Sequence, residues 1–561
     1  MDDPRARPAH RPAPHTSRRS FVASSAASVL VLAGAPRFIL RRAPYDLVIR
    51  GGTVFDGTGA AGVESDVAIV TGKIAAIARR IAERGTEEID ARGLAVSPGF
   101  IDIHSHGDGS LNEDPRAESL VRQGITTIVV GQDGSSRAPT RPRQGADTTA
   151  GSGSSFTSLF ASIDRLHPSV NVASMVGLGG LRGIVVGQDD RPATPDELAR
   201  MTAMVEEALA QGACGASSGL EYTPGAFAPL EELVALCRPL AARRLPYATH
   251  MRNEDDRVLE SIDESIAVAR GARCPLQISH LKTQGPRNWR KLDEIFTRIA
   301  QARRDGMDVA FDRYPYLAYQ TGLTNLFPVW SRDGGTDAFL ARLADSTTAP
   351  RIRAEALAKV ELIGGWDNVM IANVRSREDK TAEGKRFGAY ATSLGREPYA
   401  LSVEMLGRNR ASIGMVGFAM SEENLDRILA HPQGMVCSDG GAFAVDGPTR
   451  RGSPHPRGLG TFPRVLSRYV RERKALTLEQ AINKMSALPA SRIRLADRGH
   501  LAVGFAADIA VFDPARVQDR ATYEEPFQYP VGISAVVVNG AVALRDGQRA
   551  AQGTGKTLQP R

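Results

Sequence analysis

The hydrophobic positions of the chain change period twice. From residue 45 to 98, aliphatic and β-branched residues alternate with polar ones and break at glycine turns, in YDLVIRGGTVFDGTG, DVAIVTGKIAAIA and EEIDARGLAVSPG. Period-two alternation between such turns predicts strands joined by hairpins. The pattern returns in GHLAVGFAADIAVFDP and AVVVNGAVALRDG. Residues 44–98 and 498–550 are therefore expected to build one small β-sandwich from both ends of the chain. In between, eight short apolar runs stand out: GFIDIHSH, TTIVVGQDG, VNVASMVG, CGASSGLEY, YATHM, LQISHLK, DVAFDRYPY and GMVCSDG. Amphipathic segments such as ELARMTAMVEEALAQG and DRVLESIDESIAVARGA separate most of them. Alternating strands and helices, with eight strands, predict an α/β fold of the TIM (β/α)8 barrel type over residues 99–497. The stretch at about 330–430 exceeds one strand-to-helix connection and predicts an insertion. Residues 135–155 read as a loop and 551–561 as a tail.

Composition adds little to this picture. The net charge of +7 includes a net +3 in the first 35 residues, where five arginines face two aspartates, so only +4 remains elsewhere. A charge that small does not point to nucleic acid. No apolar run is long enough for a membrane span in the mature protein. The first 43 residues read as a leader: Arg18-Arg19 precede an apolar stretch from Phe21 to Leu32 and the small residues Ala33-Gly34-Ala35. This is the layout of a twin-arginine export signal and predicts a periplasmic or secreted protein, or one anchored by an uncleaved leader. Cys214, Cys237, Cys274 and Cys437 are scattered, with no C-x-x-C pair, and read as small buried residues.

The chemistry is written at the ends of the apolar runs. His104 and His106 are two apart, so on a strand both imidazoles point to one face. His250 ends YATHM, His280 ends the apolar part of LQISH, and Asp439 ends GMVCSD, each at the same place relative to its run. Any one of them alone reads as a core histidine or a capping aspartate. Converging on the C-terminal face of a barrel, four histidines and a carboxylate suit zinc, which takes nitrogen and oxygen ligands.

These residues carry a resemblance. PGFIDIHSHGD, YATHMRNE, ISHLK, YPY and SDG followed by HPRGLGTFPRVL are similar, in order and place, to the blocks of the N-acyl-D-amino-acid deacylases (D-aminoacylases) of the amidohydrolase superfamily. The resemblance covers about residues 45–547. One position departs from it. Where that family has Asn-Cys-Gly after the second strand, with the cysteine on the tightly held zinc, this chain reads Gly131-Gln132-Asp133-Gly134. The resemblance thus implies that Asp133 takes the cysteine's place. It implies His250, His280 and Asp133 around the tighter of one or two zinc ions, with His104, His106 and Asp439 at the more exposed one. Amidohydrolases that bridge two metals through a carboxylated lysine of the fourth strand offer no parallel, because no lysine occurs between Lys73 and Lys282.

Amide hydrolysis needs a proton for the departing amine, and Asp439 is the expected general base and acid. By the same resemblance Lys282, Tyr314 and Arg457 would bind the α-carboxylate of a small N-acyl amino acid or peptide substrate, and Tyr222 would lie near the scissile group. Gln320 stands where relatives often have serine, and Glu221 where relatives acting on apolar substrates carry a large hydrophobe. Two other readings remain at this level: a cyclic-amide hydrolase of the hydantoinase or dihydroorotase kind, and a non-catalytic metal-binding barrel.

Overall fold

The computed structural model describes residues 43–140 and 154–561. The proposed leader, with Arg18 and Arg19, and most of the loop after Ser135 lie outside these residues. Among the described residues no helix is long and apolar enough to cross a membrane.

Each of the eight apolar runs contains a strand. They are Phe100–Asp102, Ile125–Val130, Asn171–Ser174 continuing as Val176–Gly177, Ala216–Gly219, Tyr247–His250, Leu276–Ile278, Val309–Arg313 and Gly434–Val436. All ladders between them are parallel. The helices between them bury one stripe and close their ends as the sequence dictates. In Pro195–Ala210, Thr194 and Glu197 form a capping box, proline occupies the first turn, and Met201, Val205, Ala208 and Leu209 face inward. Val258–Ala272 has no side-chain cap but buries an equivalent stripe through Ile262, Ile266 and Ala269.

The strands register as a three-stranded and a six-stranded sheet, not as the single closed ladder expected from the sequence. The two sheets meet within the third strand, where Met175 N–H donates to Val130 O at 2.9 Å and Val176 N–H to Gly215 O at 3.0 Å. At the other seam, Asp439 N–H donates to His104 O at 2.8 Å and His106 N–H to Gly440 O at 2.9 Å. The residues expected to form a tail explain the break at the third strand. Val172 N–H donates to Lys556 O at 3.0 Å and Leu558 N–H to Val172 O at 2.8 Å. The edge of Asn171–Ser174 is thus paired with residues 556–558, and Leu558 packs in one cluster with Ile101, Val129, Ala173 and Ala248 at the centre of the parallel sheets.

The two β-rich ends form one nine-stranded sheet. Ala95–Pro98 runs antiparallel to Ile509–Phe512, which joins the first five strands to the last four. The hydrogen bonding gives one continuous sheet rather than the two ladders of the expected sandwich. Period two does the rest. Ile509, Val511, Ala535 and Val537 share a core with Leu47, Ile49, Val67 and Ile69. Their neighbours Ala510, Phe512, Val536 and Val538 face Phe100, Ile125 and Val172. Asp508 pins the joint by accepting from Asn171 Nδ2 at 3.0 Å and Asn539 N–H at 2.7 Å, with Arg498 beside it.

The insertion begins earlier than expected. Ala318–Gly322, Val369–Asn373 and Gly414–Phe418 form a three-stranded antiparallel sheet between the seventh and eighth parallel strands. Period-two alternation is weak in these short strands, which hid the first of them. The four cysteines are buried and free.

Leu558 is 7 % exposed within the central cluster. Leu558→Ala should lower unfolding free energy by about 2–5 kcal/mol in denaturant titration, as other buried leucine truncations do. Val503→Ala, at a position 64 % exposed, should stay within about 0.5 kcal/mol. Equal effects of the two would refute the central role of residues 556–558.

Candidate metal centre

Every expected ligand stands just past the C-terminal end of a parallel strand. His104 and His106 follow Phe100–Asp102, Asp133 follows Ile125–Val130, His250 ends Tyr247–His250, His280 follows Leu276–Ile278, and Asp439 follows Gly434–Val436. Three of these residues sit in left-handed backbone: Asp133 at φ 52°, His280 at φ 36° and Asp439 at φ 49°. Non-glycine residues pay for that conformation, and such strain collects at functional sites. The turn carrying Asp133 is fixed by glycine at both ends. A Cβ on Gly131 would lie 2.1 Å from Met175 O, and one on Gly134 would lie 2.6 Å from Gly219 N. Ser217, on the fourth strand, donates to Gly131 O at 2.6 Å and accepts from Gly134 N–H at 3.0 Å. The strand that has no lysine to offer instead holds the Asp133 turn.

The side chains converge on Asp133. Its Oδ1 lies 3.4 Å from His104 Nε2 and 3.6 Å from His280 Nε2. Its Oδ2 lies 3.4 Å from His106 Nε2 and 3.8 Å from His250 Nδ1. Asp439 Oδ1 is 3.1 Å from His106 Nε2 and 3.6 Å from His104 Nε2. Two donor sets result, His104–His106–Asp133–Asp439 and Asp133–His250–His280, and Asp133 belongs to both. The geometry brings the expected ligands together and puts Asp133 within reach of both groups, where the sequence had assigned it to one.

The electrostatics fit a cation. Against partial desolvation, Asp133 and Asp439 push the His106 pKa up to about 10, although its ring is partly open to solvent. Burial opposes protonation of His250, and Glu254, Glu221 and Asp133 push it up to about 9. Asp133 is held well below the usual carboxylate range, against its burial, by His104 and His280. The cluster calls for positive charge, which protons or a metal can supply. Both ring nitrogens of His104 and Oδ1 of Asp133 are buried with no hydrogen-bond partner. Buried polar atoms without partners are costly, and an ion between them removes the cost.

The residues expected to bind substrate line the same cavity, of about 580 Å³. The Tyr222 ring meets that of His250 at a tilt of 52°, with centroids 4.7 Å apart, and its hydroxyl is 3.2 Å from Thr321 Oγ1. Tyr314 has a buried, unpartnered hydroxyl, and the Arg457 guanidinium stands 4.7 Å above its ring. Gln320 Oε1 accepts from His455 N–H at 2.8 Å, and His455 Nδ1 accepts from Arg457 N–H at 3.0 Å. The two cations expected to bind the α-carboxylate are each already beside an acid. Arg457 Nη1 is 2.8 Å from Asp439 Oδ2. Lys282 Nζ is 2.5 Å from Glu254 Oε1 and 2.7 Å from His280 Nδ1. The arginine fork still has capacity, since its Nε and Nη1 make no aligned hydrogen bond.

Two acidic residues, Glu254 and Asp312, escaped sequence reasoning, and a third, Glu221, was given no part in the metal site. Glu254 is buried beside Lys282 and His280, four positions past His250. Glu221, noted only as standing where relatives acting on apolar substrates carry a large hydrophobe, lies 3.3 Å from His250 Nε2. Asp312 accepts from His280 N–H at 2.7 Å and from Gln277 Nε2 at 2.7 Å. The available signal was position: each lies on or just past the same strand ends as the histidines.

Comparison with known proteins bears directly on this arrangement. The pattern of the "Amidohydrolase family" matches residues 87–407 and 439–544, most of the chain. The chain belongs to the amidohydrolase family. It is 38 % identical over 506 residues to the N-acyl-D-glutamate deacylase of Alcaligenes xylosoxydans xylosoxydans, covering 89 % of this chain and 93 % of that one. It is 35 % identical over 522 residues to the D-aminoacylase of the same organism, covering 92 % and 98 %. Among solved structures, N-acyl-D-glutamate deacylase from Bordetella bronchiseptica, complexed with zinc and a phosphonate mimic of the tetrahedral intermediate, superposes with a TM-score of 0.78. It is 35 % identical, and the match covers 92 % of this chain and 99 % of that one. Neighbours of this kind imply a TIM barrel with an additional domain.

The sharing of Asp133 between two donor sets has a measurable consequence. Asp133→Ala should reduce bound divalent metal at both sets, whereas His106→Ala should spare the Asp133–His250–His280 set. Metal analysis of the purified variants by mass spectrometry reads this directly. Full metal content in Asp133→Ala would remove Asp133 from the site.

Proposed function

We propose that this amidohydrolase is a zinc-dependent deacylase of N-acyl-D-amino acids, releasing a carboxylate and the free D-amino acid. One observation carries the reading: a carboxylate shared by two histidine donor sets, beside an Asp–Arg pair, at the strand ends of a chain so similar to deacylases of this class. His104, His106, Asp133 and Asp439 would hold one zinc, and Asp133, His250 and His280 a second. Zinc held there supplies Lewis acidity toward the scissile carbonyl and water acidified to near neutral pH.

The chain's own residues supply the proton path and the grip. Asp439 takes a proton from the attacking water as its oxygen bonds to the carbonyl carbon. When the C–N bond breaks, that proton passes to the departing amine. Arg457 and His280 hold the Asp439 carboxyl below its usual range, against its burial. So weak a base serves only an acidified water, which ties this role to a filled metal site. Arg457 and Tyr314 receive the substrate's α-carboxylate, and Lys282, fixed by Glu254, adds its charge. A carboxylate seated at one fixed place lets one hand of substrate present its amide, which supports D-selectivity.

The side chain accepted is uncharged in this reading. Among the described residues, the lysine and arginine that line the cavity are Lys282 and Arg457, and each is already paired with a carboxylate. Glu221 adds another anionic wall. Among the described residues a second carboxylate on the substrate would meet no free cation, and like charges brought together cost several kcal/mol. D-dipeptides with neutral side chains are substrates on the same grounds. In keeping with the fold of the neighbours, we also read the two parallel sheets as one barrel closed at both seams. The terminal sheet is read as folding over its own core into a two-layer module. The Arg18-Arg19 leader is read as an export signal; changing both residues to lysine should abolish delivery across the inner membrane, measured by fractionation.

Two measurements test the reading. Asp439→Asn keeps the shape and removes the base, so kcat should fall by about 10²–10⁴ on every substrate. A fall of less than tenfold would dismiss the proton role. N-acetyl-D-methionine should be hydrolysed with kcat/KM at least about tenfold above N-acetyl-D-glutamate, a gap of about 1.4 kcal/mol. Preference for the glutamate substrate, or for L-enantiomers, would overturn the assigned substrate class.

A further inference from the structure

The two histidines shared with Asp133 present opposite ring nitrogens to it. His250 offers Nδ1, 3.8 Å from Asp133 Oδ2, and His280 offers Nε2, 3.6 Å from Asp133 Oδ1. In each ring the other nitrogen meets a buried glutamate. His250 Nε2 lies 3.3 Å from Glu221 Oε2, and His280 Nδ1 lies 3.1 Å from Glu254 Oε1. A neutral imidazole has one N–H and one lone pair, so a carboxylate that accepts the outer N–H turns the lone pair inward.

We propose that Glu221 and Glu254 are positioning residues: each fixes the tautomer and ring orientation of one metal-ligating histidine. The proposal rests on the reading of the site as a zinc centre.

Both carboxylates are themselves held in place. Glu221 Oε2 accepts from Asn325 Nδ2 at 2.8 Å, and Glu221 O accepts from Arg332 Nη2 at 3.1 Å. Asn325 and Arg332 follow the first strand of the inserted sheet. The insertion therefore reaches the metal site through Asn325, Glu221 and His250. Glu254 Oε2 accepts from Gln284 Nε2 at 2.8 Å, while its Oε1 also takes the Lys282 ammonium. Lys282 Nζ also stands 2.7 Å from His280 Nδ1, a contact in which the ring nitrogen accepts. With the His280 lone pair turned inward to zinc, Nδ1 carries the proton instead, the ammonium turns away from it onto Glu254 Oε1, and both then donate to Glu254. One carboxylate thereby sets a ligand of the metal and a cation of the substrate grip.

An alternative use of these groups is a third cation site of Glu221, His250 and Glu254, whose donor atoms also lie within 4.8 Å of one another. It would need His250 Nε2 as a ligand, and one neutral ring cannot give lone pairs to two ions through both nitrogens.

The test uses the zinc-loaded protein. Wild type, Glu221→Gln and Glu254→Gln are titrated with a competing chelator, and folding is checked by thermal unfolding. Each variant should bind zinc about 10–100-fold more weakly, the usual effect of removing an outer-shell partner. Cobalt(II)-substituted protein should show a shifted visible spectrum in each. Folded variants with wild-type zinc affinity and wild-type cobalt spectrum would overturn the proposal. A measurement on the unaltered protein guards against misfolded variants. Nitrogen-15 NMR of the histidine rings in the zinc form should find His250 protonated at Nε2 and His280 at Nδ1, and the reverse tautomers would overturn it. Failure of wild type to bind zinc at all would instead overturn the reading beneath it. Zinc binding without deacylase activity would refute the proposed reaction while leaving the positioning role to stand or fall on the tautomers.

Discussion

Four imidazoles and two carboxylates crowd one site in which His106 alone is exposed, and their mutual electrostatics governs the rest of the molecule. Asp133 lies within 3.8 Å of ring nitrogens from His104, His106, His250 and His280. A carboxylate taken out of water that far is costly unless positive charge surrounds it. The strands exist to deliver those groups to one point. Parallel pairing brings every strand end to the same face, and the left-handed turns at Asp133, His280 and Asp439 aim the side chains inward. Even the pairing of residues 556–558 with Asn171–Ser174 serves this arrangement, since it fills the centre beneath the site with Leu558.

The same economy couples functions that look separable. Arg457 is close enough to Asp439 to set its charge and still has unused donors for a substrate carboxylate. Arrival of an anion at Arg457 therefore changes the field at the proton-transferring group. Lys282 repeats the pattern through Glu254, which also faces His280. Binding and chemistry share their ions, so substitutions at Arg457 cannot be read as binding effects alone.

Much of this was legible in the chain. The strand positions followed from apolar runs, and the ligands from polar residues at their ends. His104 and His106 were visible because a spacing of two on a strand needs no tertiary knowledge. Asp133 was legible only against the family pattern, because one aspartate before a glycine looks like a turn. The contacts of Glu221 and Glu254 went unseen since their partners, His250 and His280, lie 29 and 26 positions away in sequence. The residue pairs Arg457–Asp439 and Lys282–Glu254 were invisible for the same reason: no local pattern records which buried ions meet. The first strand of the insertion and the pairing of residues 556–558 are likewise tertiary events without a periodic signature.

The central claim is that Asp133 stands in for a cysteine as the group common to two metal positions. Zinc-edge anomalous diffraction from crystals of the zinc-loaded protein tests it most directly. The account predicts anomalous density at the His250–His280 position and, at higher zinc, at the His104–His106 position, with an Asp133 oxygen about 2.0–2.2 Å from each ion. Zinc bound by the histidines with the Asp133 carboxylate turned away from both positions would contradict it.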